Sequence, residues 1–356
     1  MKNKTNQGKI DENLEKIATL EQTFQHTPLL EFTLKYKEKV IKLFAKNEIS
    51  GFSGSIKDRM VANILKKAYL NGNLKIDDTI IEVTSGCTGI ALSAIGGLLG
   101  HKIEILIPDW FSKARYAMTE ILGAEIHKIS KAEGGFFKCL EIAAEKSKKP
   151  GYFYLNQFNN KENIDAHFHS TAPEIFEALK SRGDKFILST GVGTGGTIIG
   201  IHKYCLQNNI DCLCYPMEPE SSPLLRSKGE KIGTHRIEGI ADDFIPKNCN
   251  LDTELFKEVI GIDDGDAILM ARKISRFGFA VGISSGGNFL ATLKAAEEYG
   301  FSRIPVTIFP DGAVKYTSTD LFKNEPMRDK YLSKNIEIID LKILHNNQNN
   351  CFSPST

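Results

Sequence analysis

The sequence lacks an excess of charge of either sign, because 45 lysines and arginines are matched by 44 acidic residues for a formal net charge of +1. No long basic block stands out, so the charge pattern gives no reason to expect a nucleic-acid or membrane partner. No apolar run approaches the length of a transmembrane helix, and the polar start of the chain lacks the apolar segment of a signal peptide. We therefore expect a cytoplasmic protein.

Cysteine is scarce and odd in number, with seven residues, of which only Cys212 and Cys214 lie close together. They fall in a segment typical of a β-strand, where alternate side chains share one face, so the pair indicates packing rather than a zinc knuckle. The motif His167-Phe168-His169 has no second group of ligands near it in sequence. We predict no metal site.

The chain has 356 residues, 41% of them hydrophobic, and this length suggests about two domains. From residue 79 onwards, short β-branched segments alternate with helical ones, which predicts an α/β fold of two domains, each a mostly parallel, twisted sheet flanked by helices. Ligands of such sheets bind beyond the carboxyl ends of the strands. The predicted strands are 79–83, 103–107, 125–129, 152–155, 185–189, 211–215 and 304–308, and helices include 112–122, 136–146 and 287–299.

The segment Gly54-Ser55-Ile56-Lys57-Asp58 has the pattern of a helix capping box, with Ser55 as the cap and Asp58 three residues later. Apolar residues with helical spacing follow, which places Lys57 in the first turn of a helix. There the helix dipole disfavours the ammonium form by up to about 1 kcal/mol. A lysine biased towards its neutral amine can attack a carbonyl and form an imine. An ordinary surface lysine near a helix start would show the same pattern.

A first glycine-rich loop, Thr84-Ser85-Gly86-Cys87-Thr88-Gly89, leaves the predicted strand that ends at Val83 and begins a helix. Free backbone N–H groups at a helix start, with hydroxyl groups beside them, suit a small anion such as a carboxylate. A tight turn that needs glycine only for its backbone geometry would explain this loop equally well.

A second loop, Gly191-Val192-Gly193-Thr194-Gly195-Gly196-Thr197, also joins a strand to a helix, and its backbone donors can converge on a phosphate. It matches the dinucleotide pattern G-x-G-x-x-G only weakly, since the nearest acid for a ribose is Glu218. The density of Gly and Thr favours a terminal phosphate monoester instead. In a third segment, 282–287, the hydroxyl of Ser284 either bonds a ring nitrogen or caps a helix.

A lysine suited to an imine, a phosphate loop and a carboxylate loop are together what pyridoxal phosphate and an amino acid require. From about residue 25 to residue 316, the chain resembles the cysteine synthase and cystathionine β-synthase family of fold-type II pyridoxal-phosphate enzymes. Residues 54–59 resemble G-S-x-K-D-R, residues 84–88 resemble T-S-G-N-T, and residues 193–197 resemble G-T-G-G-T. Residues 238–246 resemble E-G-I-G-Y-D-F-I-P, the cystathionine β-synthase form more than the cysteine synthase form.

The resemblance implies a catalytic Lys57, pyridoxal 5′-phosphate as cofactor, amino acids as substrates and a homodimer. The residues implied to bind the cofactor are Lys57, Cys87, Gly193, Thr194, Gly195, Gly196, Thr197 and Ser284. Those implied to bind the substrate are Thr84, Ser85, Gly86, Cys87, Thr88, Gln157, Glu238 and Asp242. We predict a larger cofactor-phosphate-binding domain (1–46 and 165–335), a smaller substrate-loop domain (47–164) and a disordered tail (336–356).

Three positions depart from the family pattern. Cys87 replaces the asparagine that bonds the cofactor's 3′-oxygen, and a thiol is a weaker donor. Gly51-Phe52 replaces Asn-Pro before the lysine motif, and Ala241-Asp242 replaces Gly-Tyr. If Asp242 faces the substrate rather than solvent, its carboxylate favours a small polar or cationic nucleophile and repels a second substrate that carries a carboxylate.

The implied activity is β-replacement or β-elimination on L-serine, L-cysteine or an O-activated serine through an aminoacrylate intermediate, with Lys57 as general base. With Asp242 in the site, water or sulfide is expected to compete well at the β-carbon, so cysteine would give serine and hydrogen sulfide. An amine nucleophile would instead give a 2,3-diaminopropionate-type product. From other classes, a nicotinamide-dependent dehydrogenase would use residues 191–196, and a pseudoenzyme would keep only the fold.

Overall fold

The computed structural model describes residues 5–249 and 256–344. Two β-sheets, both covered by helices, organise these residues, and the predicted α/β class with mostly parallel sheets is confirmed. The strands of the larger sheet are β1 Leu29–Tyr36, β2 Lys39–Asn47, β7 Lys185–Gly191, β8 Asp211–Pro219, β9 Ile260–Ile262, β10 Ile304–Phe309 and β11 Ile336–Leu344. Their order in the sheet is β11-β1-β2-β10-β7-β8-β9.

The smaller sheet is parallel throughout and has the order β5-β4-β3-β6, with β3 Thr79–Val83, β4 Ile103–Pro108, β5 Glu125–Ile129 and β6 Tyr152–Tyr154. The α-helices are α1 Asn6–Phe24, α2 Lys57–Leu70, α3 Cys87–Leu98, α4 Lys113–Ile121, α5 Gly135–Lys146, α6 Lys161–Ala166, α7 Ala172–Leu179, α8 Gly196–Gln207, α9 Asp264–Ser275 and α10 Ile283–Glu298. A π-helical turn, His167–Thr171, separates α6 from α7.

An antiparallel hairpin, β1 and β2, lies on one side of the larger sheet and was not among the predicted strands. Its turn is formed by Lys37 and Glu38, both in the left-handed region with φ of 46° and 62°. Glycine, asparagine or aspartate usually marks such a turn, so this pair of residues gives no sequence signal for a hairpin.

The predicted disordered tail from residue 336 is wrong over its first nine residues, which form β11. This strand pairs antiparallel with β1, and its alternate residues Ile336 and Ile338 are buried in the core. The polar composition of residues 345–350 dominated the prediction, whereas the preceding isoleucines follow the two-residue period of a strand. Residues 345–356 lie outside the described part of the chain.

Helix α1 packs against a different domain from the one to which we assign it by sequence. Its buried residues Ile17, Leu20 and Phe24 belong to one apolar cluster with Met60 and Val61 of α2, and this cluster also includes strands of the smaller sheet. Residues 6–24 therefore pack with the predicted smaller domain, although β1 and β2 belong to the larger sheet. The remaining domain boundaries stay a prediction.

The carboxyl ends of β3 and β7 position the two glycine-rich loops. The loop after β3 leads into α3, and the loop after β7 leads into α8. Strand β3 belongs to the smaller sheet and strand β7 to the larger sheet. The strand ends at which ligands bind in parallel sheets therefore deliver both loops to one cavity.

Candidate active site

A single cavity gathers most of the predicted site residues. Gly86, which directly precedes α3, and Gly196, which begins α8, are not among its lining residues. The predicted residues that line the cavity are Lys57, Thr84, Ser85, Cys87, Thr88, Gln157, Gly193, Thr194, Gly195, Thr197, Glu238, Asp242 and Ser284.

Lys57 is the first residue of α2, in the predicted first turn, and its side chain lines the cavity. Burial lowers the pKa of Lys57, while the neighbouring groups of Cys87, Asp242 and Asp311 act in the opposite direction. The amine therefore loses its proton more easily than a lysine in water.

The predicted capping box at this helix start is wrong. Ile56 occupies the cap position and provides no side-chain hydrogen bond. The Asp58 carboxylate accepts the Ser53 N–H at 2.8 Å instead of returning to Ser55. The S-x-x-D pattern thus has a different use here, because the carboxylate ties the preceding loop to α2.

The loop Thr84-Ser85-Gly86-Cys87-Thr88 has the geometry of an anion site. Gly86 has a φ of 144°, a conformation that favours glycine, and a β-carbon there would lie 2.2 Å from Cδ of Arg115. The Gly86 N–H donates to Oγ1 of Thr84 at 2.9 Å, and no side chain caps α3 at its Gly86 start. Uncapped N–H groups at the start of α3 are suited to a carboxylate.

Gln157 is held against this loop from both ends of its side chain. Its Oε1 accepts the Thr88 hydroxyl at 2.6 Å, and its Nε2 donates to the Val83 carbonyl at 2.6 Å. Gln157 itself is buried at the start of a short 3₁₀ segment, Gln157–Asn159. The side chain therefore has one defined position at the edge of the carboxylate loop.

The loop Gly193-Thr194-Gly195-Gly196-Thr197 fits a phosphate group. Gly195 adopts a left-handed conformation with φ of 81°, and no side chain caps α8 there. A β-carbon would lie 2.2 Å from Sγ of Cys249 at Gly195 and 2.4 Å from the Gly239 carbonyl oxygen at Gly193. Only glycines allow this backbone path, which leaves N–H groups and threonine hydroxyls for an anion.

Ser284 completes the predicted cofactor set as the second residue of α10, where it is buried and lines the cavity. The interpretation of Ser284 as a helix cap is wrong, because Gly282 occupies the cap position of α10 and no side chain caps this helix. The hydroxyl group is placed where a ring nitrogen could accept its hydrogen bond, and that role stays a prediction.

Cys87 acts as a hydrogen-bond donor to Asp311, with 3.0 Å between Sγ and Oδ2. Burial, reinforced by the negative charge of Asp311, raises the pKa of the Cys87 thiol to about 12. The same carboxylate accepts the Tyr316 hydroxyl at 2.9 Å. Cys87 is therefore a neutral thiol at physiological pH, and thiols in this state are poor nucleophiles.

Arg115 of α4 is a buried cation that connects the carboxylate loop to the other acidic side chains. Its guanidinium lies 3.0 Å from Oε2 of Glu238, donates to the Ser85 carbonyl at 3.2 Å and stacks 4.6 Å from the centre of the Tyr316 ring. A second nitrogen lies 3.8 Å from the Asp311 carboxylate. Arg115 thus balances part of the negative charge around the cavity.

Asp242 lines the cavity rather than facing only solvent, together with Lys57. Burial raises the pKa of Asp242 to about 7, and Asp243 acts in the same direction, while Lys57 and Arg115 oppose the shift. A carboxyl group with such a pKa can exchange a proton near neutral pH, as a general base requires.

Sequence reasoning missed Arg115, Asp311 and Tyr316 as members of the site. Arg115 lies in α4, whereas Asp311 and Tyr316 follow β10, so no local pattern connects them. The only signal was that the family resemblance extends through residues 310–316. Contacts between distant segments are decided by the fold and not by a motif.

The predicted absence of a metal site stays a prediction. Ligand atoms of Glu104, Glu125 and His127 lie within 4.8 Å of one another, but Lys146 pairs with Glu104 and Lys102 pairs with Glu125 at 2.9 Å. The imidazole of His167 hydrogen-bonds Thr171 and Thr197 at 2.9 and 3.2 Å. The Cys212 and Cys214 pair lies in β8, as predicted.

Within residues 5–249 and 256–344, no helix combines the length and apolar character needed to cross a membrane.

A lysine at a helix start, a phosphate loop and a carboxylate loop around one cavity define a pyridoxal-phosphate-dependent enzyme. Residues 20–311 match the family model described as pyridoxal-phosphate dependent enzyme, and the chain belongs to that family. Within it, the chain is a member of the cysteine synthase group. Cysteine synthase B of Campylobacter jejuni is 38% identical over 298 residues, which cover 83% of this chain and 96% of the relative.

Solved structures agree with this assignment. A hydrogen sulfide-producing enzyme from Fusobacterium nucleatum has 41% sequence identity and a TM-score of 0.89, with 93% of this chain and 99% of that chain covered. An aspartate-to-asparagine mutant of that hydrogen sulfide-producing enzyme, in complex with an α-aminoacrylate intermediate, has 41% sequence identity and a TM-score of 0.88. The match covers 92% of this chain and 99% of that chain. The predicted family, cofactor and pyridoxal-phosphate-dependent β-replacement or β-elimination are confirmed, and the dehydrogenase, pseudoenzyme and amine-nucleophile alternatives are not favoured.

Proposed function

We propose that the protein converts L-cysteine and water into L-serine and hydrogen sulfide. The observation that carries this proposal is Asp242, a carboxyl group in the cavity with Lys57, whose pKa burial raises to about 7. Such a group can accept a proton from water at neutral pH. The similarity to a hydrogen sulfide-producing enzyme from Fusobacterium nucleatum supports the choice of products.

The cofactor would be held by residues that the cavity already brings together. The loop of residues 193–197 would bind its phosphate, Ser284 its ring nitrogen, and Cys87 takes the place of the family's asparagine. When bound, pyridoxal phosphate withdraws electrons from the α-carbon of the amino acid, which makes the Cα–H and Cβ–S bonds easier to break.

The remaining steps belong to side chains of this protein. The carboxylate loop and Gln157 would orient the substrate carboxylate. Lys57 as a neutral amine would accept the Cα proton, and the ammonium group so formed would later return it. Burial, which lowers the pKa of Lys57, favours that neutral form. The Cβ–S bond breaks first and hydrosulfide leaves. Asp242 then takes one proton from water as the water oxygen bonds to Cβ, and it gives this proton up to solvent, where hydrosulfide takes up one proton to become hydrogen sulfide.

The acidic side chains also restrict the second substrate. Asp242 and Glu238 both line the cavity, and a like-charge contact at about 4 Å costs on the order of 1 to 4 kcal/mol, depending on local solvation. A nucleophile with its own carboxylate, such as homocysteine, is therefore disfavoured relative to water. This charge pattern selects hydrolysis over the formation of cystathionine.

Reaction in ¹⁸O-labelled water tests the proposal directly. The purified enzyme, with L-cysteine as the only amino acid, should release hydrogen sulfide and form serine that carries ¹⁸O in its hydroxyl group. Homocysteine at equal concentration should divert only a minor part of the product. Pyruvate and ammonia as main products, or cystathionine as the main product with homocysteine, would contradict the proposal.

We also propose a homodimer in the cytoplasm, as the family resemblance and the unremarkable charge pattern imply. Light scattering on the eluted protein should give twice the mass of the chain. A monomeric mass in active fractions would contradict the dimer.

A further inference from the structure

Asn163 of α6 lies between the phosphate loop and the carboxylate loop. Its side chain is completely buried. Its Nδ2 donates to Oγ1 of Thr194 at 3.0 Å and to the Gln157 carbonyl at 2.9 Å. One amide group therefore bonds a residue of each part of the cavity.

The path continues from Gln157 into the carboxylate loop. The Gln157 side chain accepts the Thr88 hydroxyl at 2.6 Å and donates to the Val83 carbonyl at 2.6 Å. Hydrogen bonds thus connect Thr194 to the backbone of Gln157 through Asn163, and the side chain of Gln157 connects it to Thr88. These bonds lie in the buried part of the protein, where water does not compete for the same donors and acceptors.

Asn163 also packs tightly on the phosphate loop. A β-carbon at Gly196 would lie 2.0 Å from Oδ1 of Asn163, so the side chain fits only against glycine. Among the described residues, this oxygen has no hydrogen-bond partner although it is buried. A displacement of the phosphate loop at Gly196 must therefore move Asn163 as well, since there is no free space between them.

We propose that Asn163 is a positioning residue that couples the phosphate loop to the carboxylate loop, so that a phosphate on residues 193–197 places Gln157 and Thr88 for the substrate carboxylate. The inference rests on the proposed function of these two loops and assigns Asn163 no contact with either ligand. Because coupling between two sites is reciprocal, substrate binding also strengthens cofactor binding.

Asn248 provides a matched control. Its Nδ2 donates to the same Gln157 carbonyl at 2.8 Å, and its Oδ1 accepts the Asn160 N–H at 3.1 Å. The side chain is buried like that of Asn163. It has no hydrogen bond to residues 193–197 within the described ranges. Asn248→Ala therefore removes a hydrogen bond to Gln157 and none to the phosphate loop.

The experiment compares Asn163→Ala with Asn248→Ala in two measurements. Titration of the full chain, stripped of cofactor, gives the dissociation constant for pyridoxal phosphate, and steady-state kinetics of the reloaded enzyme give KM and kcat for L-cysteine. A lost buried hydrogen bond changes an equilibrium by about two- to tenfold. Asn163→Ala should raise both the dissociation constant and KM by about fivefold with kcat little changed, whereas Asn248→Ala should raise KM alone.

A double-mutant cycle with Thr194→Ala isolates the connection. Thr194→Ala should raise KM for L-cysteine in the otherwise unchanged enzyme but not in the Asn163→Ala background. Additive effects, or an Asn248→Ala variant that matches Asn163→Ala in both measurements, would overturn the coupling. If Asn163→Ala fails to fold, Asn163→Leu removes the same donor at similar size and adds no charge beside the phosphate loop. Unchanged cofactor affinity in Gly195→Leu would instead contradict the proposed role of the loop itself.

Discussion

The phosphate loop comes from five consecutive residues, 193–197, whereas the walls around Cys87 and Asp242 come from four separate stretches of chain that contribute Cys87, Arg115, Glu238 to Asp242, and Asp311 to Tyr316. The task proposed for the loop is to bind the phosphate of the cofactor, and its backbone path requires glycine at residues 193 and 195. We propose that the acidic wall, formed by Glu238, Asp242 and Asp311, decides which molecule attacks the substrate. Binding of a common group can therefore be encoded locally, while specificity is distributed over the fold.

The electrostatics of the two regions differ in the same way. The phosphate loop uses uncapped backbone N–H groups at the start of α8. The acidic wall instead sets Glu238, Asp242 and Asp311 against Lys57 and Arg115. The pKa values of Glu238 and Asp242 are raised by burial and also respond to the charge of Arg115, so one substitution can change both.

Lys57 serves both regions, and its loss should have the largest effect. Lys57→Ala should lower turnover by about 10⁴-fold or more, because general acid–base catalysis alone contributes about 10²–10⁴. Borohydride should no longer fix the cofactor covalently, as mass spectrometry can check. Lys66→Ala, on the same helix and paired with Glu21 at the surface, should retain activity. Covalent labelling of another lysine would show that Lys57 is assigned wrongly.

Asp242 tests whether the acidic wall selects water. Asp242→Asn should reduce release of hydrogen sulfide and serine by about 10²–10⁴, the usual contribution of a general base. In the unchanged enzyme the rate should rise as the pH increases through about 7, since the carboxyl group must be ionised to accept a proton. This rise should disappear in the variant when the rate is measured across a pH series.

Asp243 gives a control with a defined sign. Its negative charge raises the pKa of Asp242, so Asp243→Asn should shift the pH profile to lower values while activity persists.

Asp242→Tyr should restore the family's aromatic residue and increase the ratio of cystathionine to serine when homocysteine is present. If the ratio stays constant, Asp242 has no part in the choice of nucleophile.

The sequence was informative wherever the residues that act together are also neighbours in the chain. Thr79–Val83 and Glu125–Ile129 were predicted with the observed bounds, because β-branched residues recur between clear turns. The Lys37-Glu38 turn and the contacts of Arg115 have no such local signal. The capping box failed although its residues are neighbours, since the N–H of Ser53 in the preceding loop binds the Asp58 carboxylate in place of the helix cap.

Gly195 tests the local half of the comparison. Gly195→Leu would place a β-carbon against Cys249 in a left-handed backbone conformation. Loss of one or two charge-assisted hydrogen bonds, each about 1.5–3 kcal/mol, should weaken pyridoxal phosphate binding by about 10²-fold, as a fluorescence titration can measure. Gly123→Leu is the matched control for backbone strain, since its φ is 86° and its β-carbon would meet nothing within 4 Å. If both variants lose the same amount of affinity for pyridoxal phosphate, the effect is due to backbone strain or unfolding and not to the phosphate loop.

Substitution of Cys87, which bonds Asp311 of the acidic wall, should have a small effect on activity. Its thiol is neutral and donates only a weak hydrogen bond to Asp311. Cys87→Asn and Cys87→Ala should therefore both keep kcat/KM within about tenfold, the range of one ordinary hydrogen bond. The absorption maximum of the bound cofactor should shift in Cys87→Asn. Complete inactivation of both variants, with cofactor content intact, would show that the thiol takes part in the chemistry.

Ala241 should give the smallest change and the finest test of how the acidic wall is aimed. It has a left-handed φ of 51°, directly before Asp242, and its N–H donates to the Val192 carbonyl at 3.0 Å. The left-handed conformation costs a residue with a β-carbon about 1–2 kcal/mol, part of which glycine returns as greater freedom of the unfolded chain. Ala241→Gly should therefore raise the free energy of unfolding by about 0.5–1 kcal/mol in urea titrations. If the strain also holds Asp242 in place, the same variant should release sulfide more slowly, whereas a more stable enzyme with unchanged sulfide release would show that Asp242 is positioned by its other contacts.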